Sequence, residues 1–354
     1  EYQISALRVA GSNPAEVTNK RQDFLAFFLF FALFVNMIST QIGLNPEDKY
    51  ELFLGDYIGM FILLAPLIGL FLFFSFYVVE IIYLRNYKKP LVVFANISFI
   101  DLNDNQKQIL NNNFHFYNRL KPRYKRYFEH RVAKFMSNYE FVGQDISVTD
   151  EMRVTISATY VMLTFGMREY LNPLFKTIVI FPDIYYSSQT DNYHKGEFNP
   201  SKKYVALSWK HALEGVEDVS DNLNLALHEF AHALVLESKI ESHDVYFAYN
   251  FSKIDTIIKR PEVFSAISKN PYFRDYAQTN RLEFYSVAIE CFFETPEEFK
   301  KQLPKLYQSF CLLLNNDSLF VYNSVHPKVS LVQDKEMSQS TVKKDEFWYK
   351  KSYK

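Results

Sequence analysis

His228 and His232 stand four residues apart, with Glu229 beside the first of them, in the stretch NLNLALHEFAHALVLES at 222–238. On a helix that spacing puts both imidazoles on one face, so one metal ion can take a nitrogen from each. Glu229 then adjoins the ion without ligating it and can take a proton from an attacking water. These residue types ask for metal-assisted hydrolysis, and an N,N,O donor set favours Zn2+ as the cofactor.

A catalytic zinc site usually takes three protein ligands and keeps a fourth position open. The third ligand is not the His of an HExxHxxGxxH motif, because Val235 and Ser238 occupy the Gly and His positions. Glu237 and His243 lie too close along the chain for easy closure, although His243 is not impossible. A later stretch, YAQTNRLEFYSVAIECFFETPEEF at 276–299, offers Glu283 and Glu290, seven apart and therefore on one helix face. A carboxylate in so apolar a setting needs a cation. Either Glu can be the ligand while the other orients an imidazole from behind, and spacing alone leaves the two assignments open.

The elements that must position these residues can be outlined from periodicity. Residues 103–140 carry helical signals, with a basic run (Arg119, Lys121, Arg123, Lys125, Arg126, Arg131 and Lys134) that reads as a solvated helix face or a surface drawn to anionic lipid. The stretch 148–167 reads as a helix capped by Thr149 or Asp150. KTIVIFP at 176–182 and YVALSW at 204–209 read as strands, with a polar loop between them. By analogy with zincins the strand at 176–181 is an edge along which an extended peptide could align, and the alternative is an ordinary interior strand. A helix from Asp221 or Asn222 to about Glu237, capped by Ser220 or Asp221, carries the HExxH motif, and further helices fill 261–314. Helices around a small sheet make an α+β domain, expected over 90–335 and followed by a polar mobile tail at 336–354.

Ahead of that domain the chain is rich in Phe. Residues 24–44 and 57–84 are apolar and long enough to span a bilayer, which predicts a two-helix transmembrane hairpin over 23–89. Pro66 is tolerated inside such a span, and Glu80 near its end can reach the interface or meet a partner. Arg8, Lys20 and Arg21 precede the hairpin, Arg85, Lys88 and Lys89 follow it, and its connecting loop holds a single Lys. The positive-inside rule therefore places both termini and the catalytic domain in the cytoplasm, at the inner membrane. Two cysteines, Cys291 and Cys311, form no CxxC pair and suit a reducing compartment. A net charge of −1 gives no field for nucleic acid, which is not expected as a partner. AGSNPA at 10–15 can be encoded by a self-complementary transfer-RNA T-arm, so residues 1–22 are expected to be a non-native upstream extension.

TIVIFP, VALSW, HEFAH and the block DYAQTNRLEFYSVAIECFFETPEEFKKQLPKLYQSFCLLLNND at 275–317 together resemble the Mlc titration factor A family of zinc peptidases. The resemblance covers about 90–320. It implies a zincin-like core similar to the catalytic domain of anthrax lethal factor, and aminopeptidase-like activity on small substrates. It also implies Glu283 as the third zinc ligand beside His228 and His232. Glu290 falls on the family's second acidic position, with a structural or supporting role, and Tyr276 becomes a candidate for stabilising the oxyanion. This chain departs from the family in Ala233-Leu234-Val235 after the motif and in its apolar N-terminal region. A membrane-embedded protease of the HtpX type is disfavoured, since Val287 stands where an Asp would be needed. The leading expectation is a membrane-anchored zinc metallopeptidase acting on a peptide or protein substrate, with Glu229 as general base. The alternative is a membrane-tethered binding protein that captures a transcriptional regulator.

Overall fold

The structure is a computed structural model and describes residues 54–87, 90–94, 96, 98–187, 191–218, 220–240 and 244–319. The expected first span (24–44), the segment 1–22, the tail 336–354 and His243 lie outside the described residues. The chain falls into two compact units, residues 1–79 and 80–354.

Helix α1 (Leu54–Tyr87) runs through Pro66 without a break. Its 24-residue segment Leu64–Tyr87 holds an 18-residue window of mean hydropathy 2.3, none of which is buried. At 1.5 Å per residue it reaches about 36 Å, enough to cross a hydrocarbon core of about 30 Å. Among the described residues it is the one helix of that kind.

In the second unit, Glu80 meets the Arg168 guanidinium, with Nη1 donating to Oε2 at 3.1 Å. Helix α2 (Asp104–Asn113) opens on a capping box made by Asn103 and Gln106. A short α3 (His115–Arg119) follows, and then α4 (Pro122–Asn138), which starts on a proline. The basic run there is not one solvated face. Arg131 is 1 % exposed, lies over the rings of Phe94, Phe165 and Tyr170, and donates to the carbonyls of Thr164 and Phe165. Aromatic faces and carbonyls replace its water, so this charge is spent inside the domain.

Strand β1 (Glu140–Gly143) succeeds α4, and α5 (Asp150–Thr164) is capped by Thr149, whose hydroxyl accepts the Met152 N–H at 3.2 Å. Next come β2 (Thr177–Phe181), β3 (Tyr185–Ser187), β4 (Asn192–His194), β5 (Gly196–Asn199) and β6 (Tyr204–Ser208). The main sheet runs β1-β2-β6-β5, with β1, β2 and β6 parallel and β5 antiparallel to β6. The expectation that 176–181 forms an edge is overturned. Ile178 and Ile180 are fully buried and β2 is paired on both sides, as an alternating β-branched strand in a parallel core should be. The edges are β1 and β5, and β5 lies in the stretch expected to be a polar loop. That stretch also supplies β4, which pairs with β3 in a separate hairpin.

Helix α6 (Trp209–Glu217) leads to α7 (Leu225–Ile240), which carries the HExxH motif, and then to α8 (Val245–Ile258) and α9 (Pro261–Ser268). A 3-10 turn at Asp275–Gln278 precedes α10 (Arg281–Glu294), α11 (Pro296–Gln302) and α12 (Pro304–Leu313). The Phe-rich composition also serves the core. Phe135, Tyr139, Tyr160, Phe175 and Phe230 pack ring on ring, which ties α4, α5 and α7 together. The architecture is α+β and mostly helical.

Candidate functional site

Helix α7 begins at a later cap than its sequence suggested. Asn224, not Ser220 or Asp221, holds the N-terminus: its Oδ1 accepts the Leu227 N–H at 3.0 Å and its carbonyl accepts the His228 N–H at 2.9 Å. Ser220 and Asp221 are engaged in turns of their own, and Asn222 sits at φ 58°, which cannot continue a helix. Leu227, Phe230, Ala231 and Leu234 bury the core face of α7, so His228 and His232 share the face turned toward α10.

Helix α10 is capped by Asn280, whose Oδ1 accepts the N–H groups of Leu282 and Glu283 at 2.8 and 3.1 Å. This fixes Glu283 in the first turn. Its Oε2 lies 3.0 Å from His228 Nε2 and 3.3 Å from His232 Nε2, and the three prospective ligand atoms all fall within 4.8 Å of one another. The two imidazoles stand nearly perpendicular, with centroids 4.5 Å apart. Two nitrogens and one carboxylate oxygen thus converge from two rigid helices, a donor set that fits zinc with a position to spare.

Both imidazoles are held from behind. His228 Nδ1 lies 2.6 Å from Glu290 Oε1, and Ser286 Oγ lies 2.9 Å from His232 Nδ1. Glu290 also accepts the Asn224 N–H at 3.0 Å and a fork of bonds from Arg274 at 2.8 and 2.9 Å. Glu283, Ser286 and Glu290 are the i, i+3 and i+7 positions of α10, so one stripe of that helix supplies both the front and the back of the cluster. Spacing therefore pointed to Ser286, although sequence reasoning missed it. Arg274 was missed as well, and its only signal was the need of a buried Glu290 for a cation.

The charges follow from this packing. Burial alone would lower the pKa of His228, but the carboxylates of Glu283 and Glu290 on its two nitrogens outweigh burial and hold it at about 10. Burial opposes ionisation of Glu283, yet bonds from both imidazoles bring its carboxyl down to about 2. The cleft is therefore built around positive charge.

Glu229 is 7 % exposed, and burial raises its pKa against the pull of the two imidazoles. Its carboxylate accepts the backbone N–H of Phe198 on the edge strand β5. A Cβ at Gly196 would meet Glu229 Cγ and Oε1 at 2.9 Å, so only glycine lets β5 approach this closely. Tyr276, in the 3-10 turn, lies with its ring 5.8 Å from that of His228 and remains half-exposed. Burial of its hydroxyl and the nearby carboxylates of Glu283 and Glu229 push its pKa up to about 12, so it remains a proton donor at neutral pH. Glu237 is buried on α7 outside this three-ligand group. Cys291 and Cys311 are unpaired thiols away from it.

Residues 95–314 match the family described as glucose-regulated metallo-peptidase M90. An uncharacterised protein of Synechocystis, slr2042, is 28 % identical over 229 residues, covering 56 % of this chain and 79 % of that protein.

Proposed function

The chain belongs to the glucose-regulated metallopeptidase family M90, and from that premise we propose that it is a membrane-anchored zinc peptidase of aminopeptidase-like activity, with a zincin-like core. The observation that carries the proposal is the convergence of His228, His232 and Glu283 beside a buried Glu229 that touches the edge strand.

In this reading His228 Nε2, His232 Nε2 and a Glu283 carboxylate oxygen hold the metal. Zinc there would supply Lewis acidity toward a water and toward the scissile carbonyl. Glu229 takes the proton of the attacking water and delivers it to the leaving amine. Its raised pKa favours both halves of that exchange. The Tyr276 hydroxyl donates to the developing oxyanion. An extended peptide adds along the outer edge of β5, where the backbone of Gly196 and Phe198 faces away from β6. The length and mean hydropathy of Leu64–Tyr87 support the anchor, and the basic residues around it support a cytoplasmic domain.

The test is Glu229→Gln in the full-length protein, assayed on peptides with free and blocked N-termini. Hydrolysis should fall by about 10²–10⁴-fold while one zinc per chain is retained. Undiminished hydrolysis by the variant would overturn the mechanism. Capture of a transcriptional regulator, the other expectation from sequence, should survive this substitution and so separates from the enzymatic role.

A further inference from the structure

Glu290 is 1 % exposed, and a carboxylate at that depth stays ionised only if its desolvation is repaid by partners. Four donors surround it. Arg274 Nη2 and Nη1 reach Oε1 and Oε2 at 2.8 and 2.9 Å, the Asn224 N–H reaches Oε2 at 3.0 Å, and His228 Nδ1 lies 2.6 Å from Oε1. A guanidinium fork matched to a carboxylate is the strongest of these arrangements, and it fixes orientation as well as charge.

Arg274 also lies 3.4 Å from His228 Nδ1 through Nη2. A guanidinium can only donate, so that contact would need an unprotonated Nδ1. The bond to Glu290 is 0.8 Å shorter (2.6 against 3.4 Å) and decides the matter: Nδ1 carries the proton and donates to Glu290. In the neutral imidazole the lone pair then lies on Nε2, the nitrogen facing Glu283.

We propose that Arg274 is a positioning residue which, by gripping Glu290, fixes the tautomer and ring orientation of His228 for zinc. The inference rests on the zinc reading of the cleft. Arg274 precedes the 3-10 turn that carries Tyr276, with its guanidinium 5.9 Å from that ring. It also donates through Nη1 to the carbonyl of Asn222, just ahead of the α7 cap. This last bond offers a competing account, in which Arg274 merely holds the turn. Thr295 grips the same residue through its side chain, its hydroxyl donating to Asn222 Oδ1 at 2.7 Å.

The two accounts part in a double-mutant cycle on zinc affinity, measured on the full-length protein by competition with a chromophoric chelator. Arg274→Ala should weaken zinc binding by about 10–100-fold, and that loss should vanish when Glu290→Gln is already present. Thr295→Val should leave affinity within about threefold. Arg274→Lys keeps a single cation without the fork, should fall between, and replaces the alanine variant in the cycle if that variant does not fold. Equal losses in both backgrounds, or an equal loss from Thr295→Val, would overturn the positioning role. A wild-type chain that binds no zinc would sink both the metal reading and this inference. Tight wild-type binding with an unchanged Arg274→Ala would sink the inference alone.

Discussion

His228 and His232 face the same carboxylate of Glu283 but are backed in different ways. Behind His228 stands the carboxyl group of Glu290, itself clasped by Arg274 and the Asn224 N–H. Behind His232 stands one neutral hydroxyl, Ser286. A carboxylate makes the imidazole a better electron donor and orients it through a charge-assisted bond, whereas a serine only steers it. The first histidine belongs to a network that also includes the cap of its own helix, and the second has the Ser286 hydroxyl behind it. The site should therefore be far more sensitive behind His228.

The most direct way to break that asymmetry is to remove each backing group in turn. Glu290→Gln should weaken zinc binding by about 10–100-fold, while Ser286→Ala should cost about fivefold or less, near the value of one neutral hydrogen bond. Chelator competition reads both. Equal losses would show that the two supports are equivalent. A smaller effect belongs to Tyr276, which stands on the His228 side but is proposed to act only on the oxyanion. Tyr276→Phe should lower kcat by about tenfold or more with zinc affinity unchanged. If affinity fell along with kcat, Tyr276 would be part of the His228 support instead.

The same asymmetry explains what the sequence disclosed. His228, Glu229 and His232 lie within one helical turn, and Glu283 and Glu290 share a stripe, so local periodicity was enough to suspect them. Glu283 over Glu290 as the ligand came from family resemblance, because a spacing of seven is symmetric. Arg274 lies sixteen residues before Glu290 in a non-helical segment, and no periodicity connects them. The edge strand was hidden for a different reason. Gly196–Asn199 has polar flanks and a glycine whose value lies in what it lets approach, so its residues read as loop. Sheet order is non-local as well: β2 looked capable of being an edge until β1 and β6 were found on either side. Arg131 reversed its expectation because neighbouring aromatic residues from distant segments, Phe94, Phe165 and Tyr170, close over it.

The subtlest consequence of the asymmetry is a pH dependence in metal-depleted protein. His228 is held at about 10, against an ordinary value of 6.5, by the carboxylates on its two nitrogens. A raised folded-state pKa contributes stability that is fully present below about 6.5 and is lost as pH rises toward 10. Glu283 is depressed to about 2 from 4.5, so its contribution is present above about 4.5 and is lost as pH falls toward 2. After chelation, the melting temperature should therefore hold between about pH 4.5 and 6.5 and decline on both sides. Glu290→Gln removes one of the two carboxylates bonded to His228 and should flatten the alkaline decline, leaving the acid limb in place. Ser286→Ala touches neither carboxylate and should leave both limbs as in the wild type. Differences of a few degrees are expected, at about 2–4 °C per kcal/mol for a domain of this size, and thermal unfolding at pH 6 and pH 9 measures them. Reloading the wild type with zinc should remove the alkaline decline, because the metal takes the lone pair that the proton would otherwise hold. An alkaline slope equal in the wild type and Glu290→Gln would mean that the charge of His228 is set without Glu290, by Glu283 and Glu229, and the contrast between the two imidazoles would then reduce to orientation.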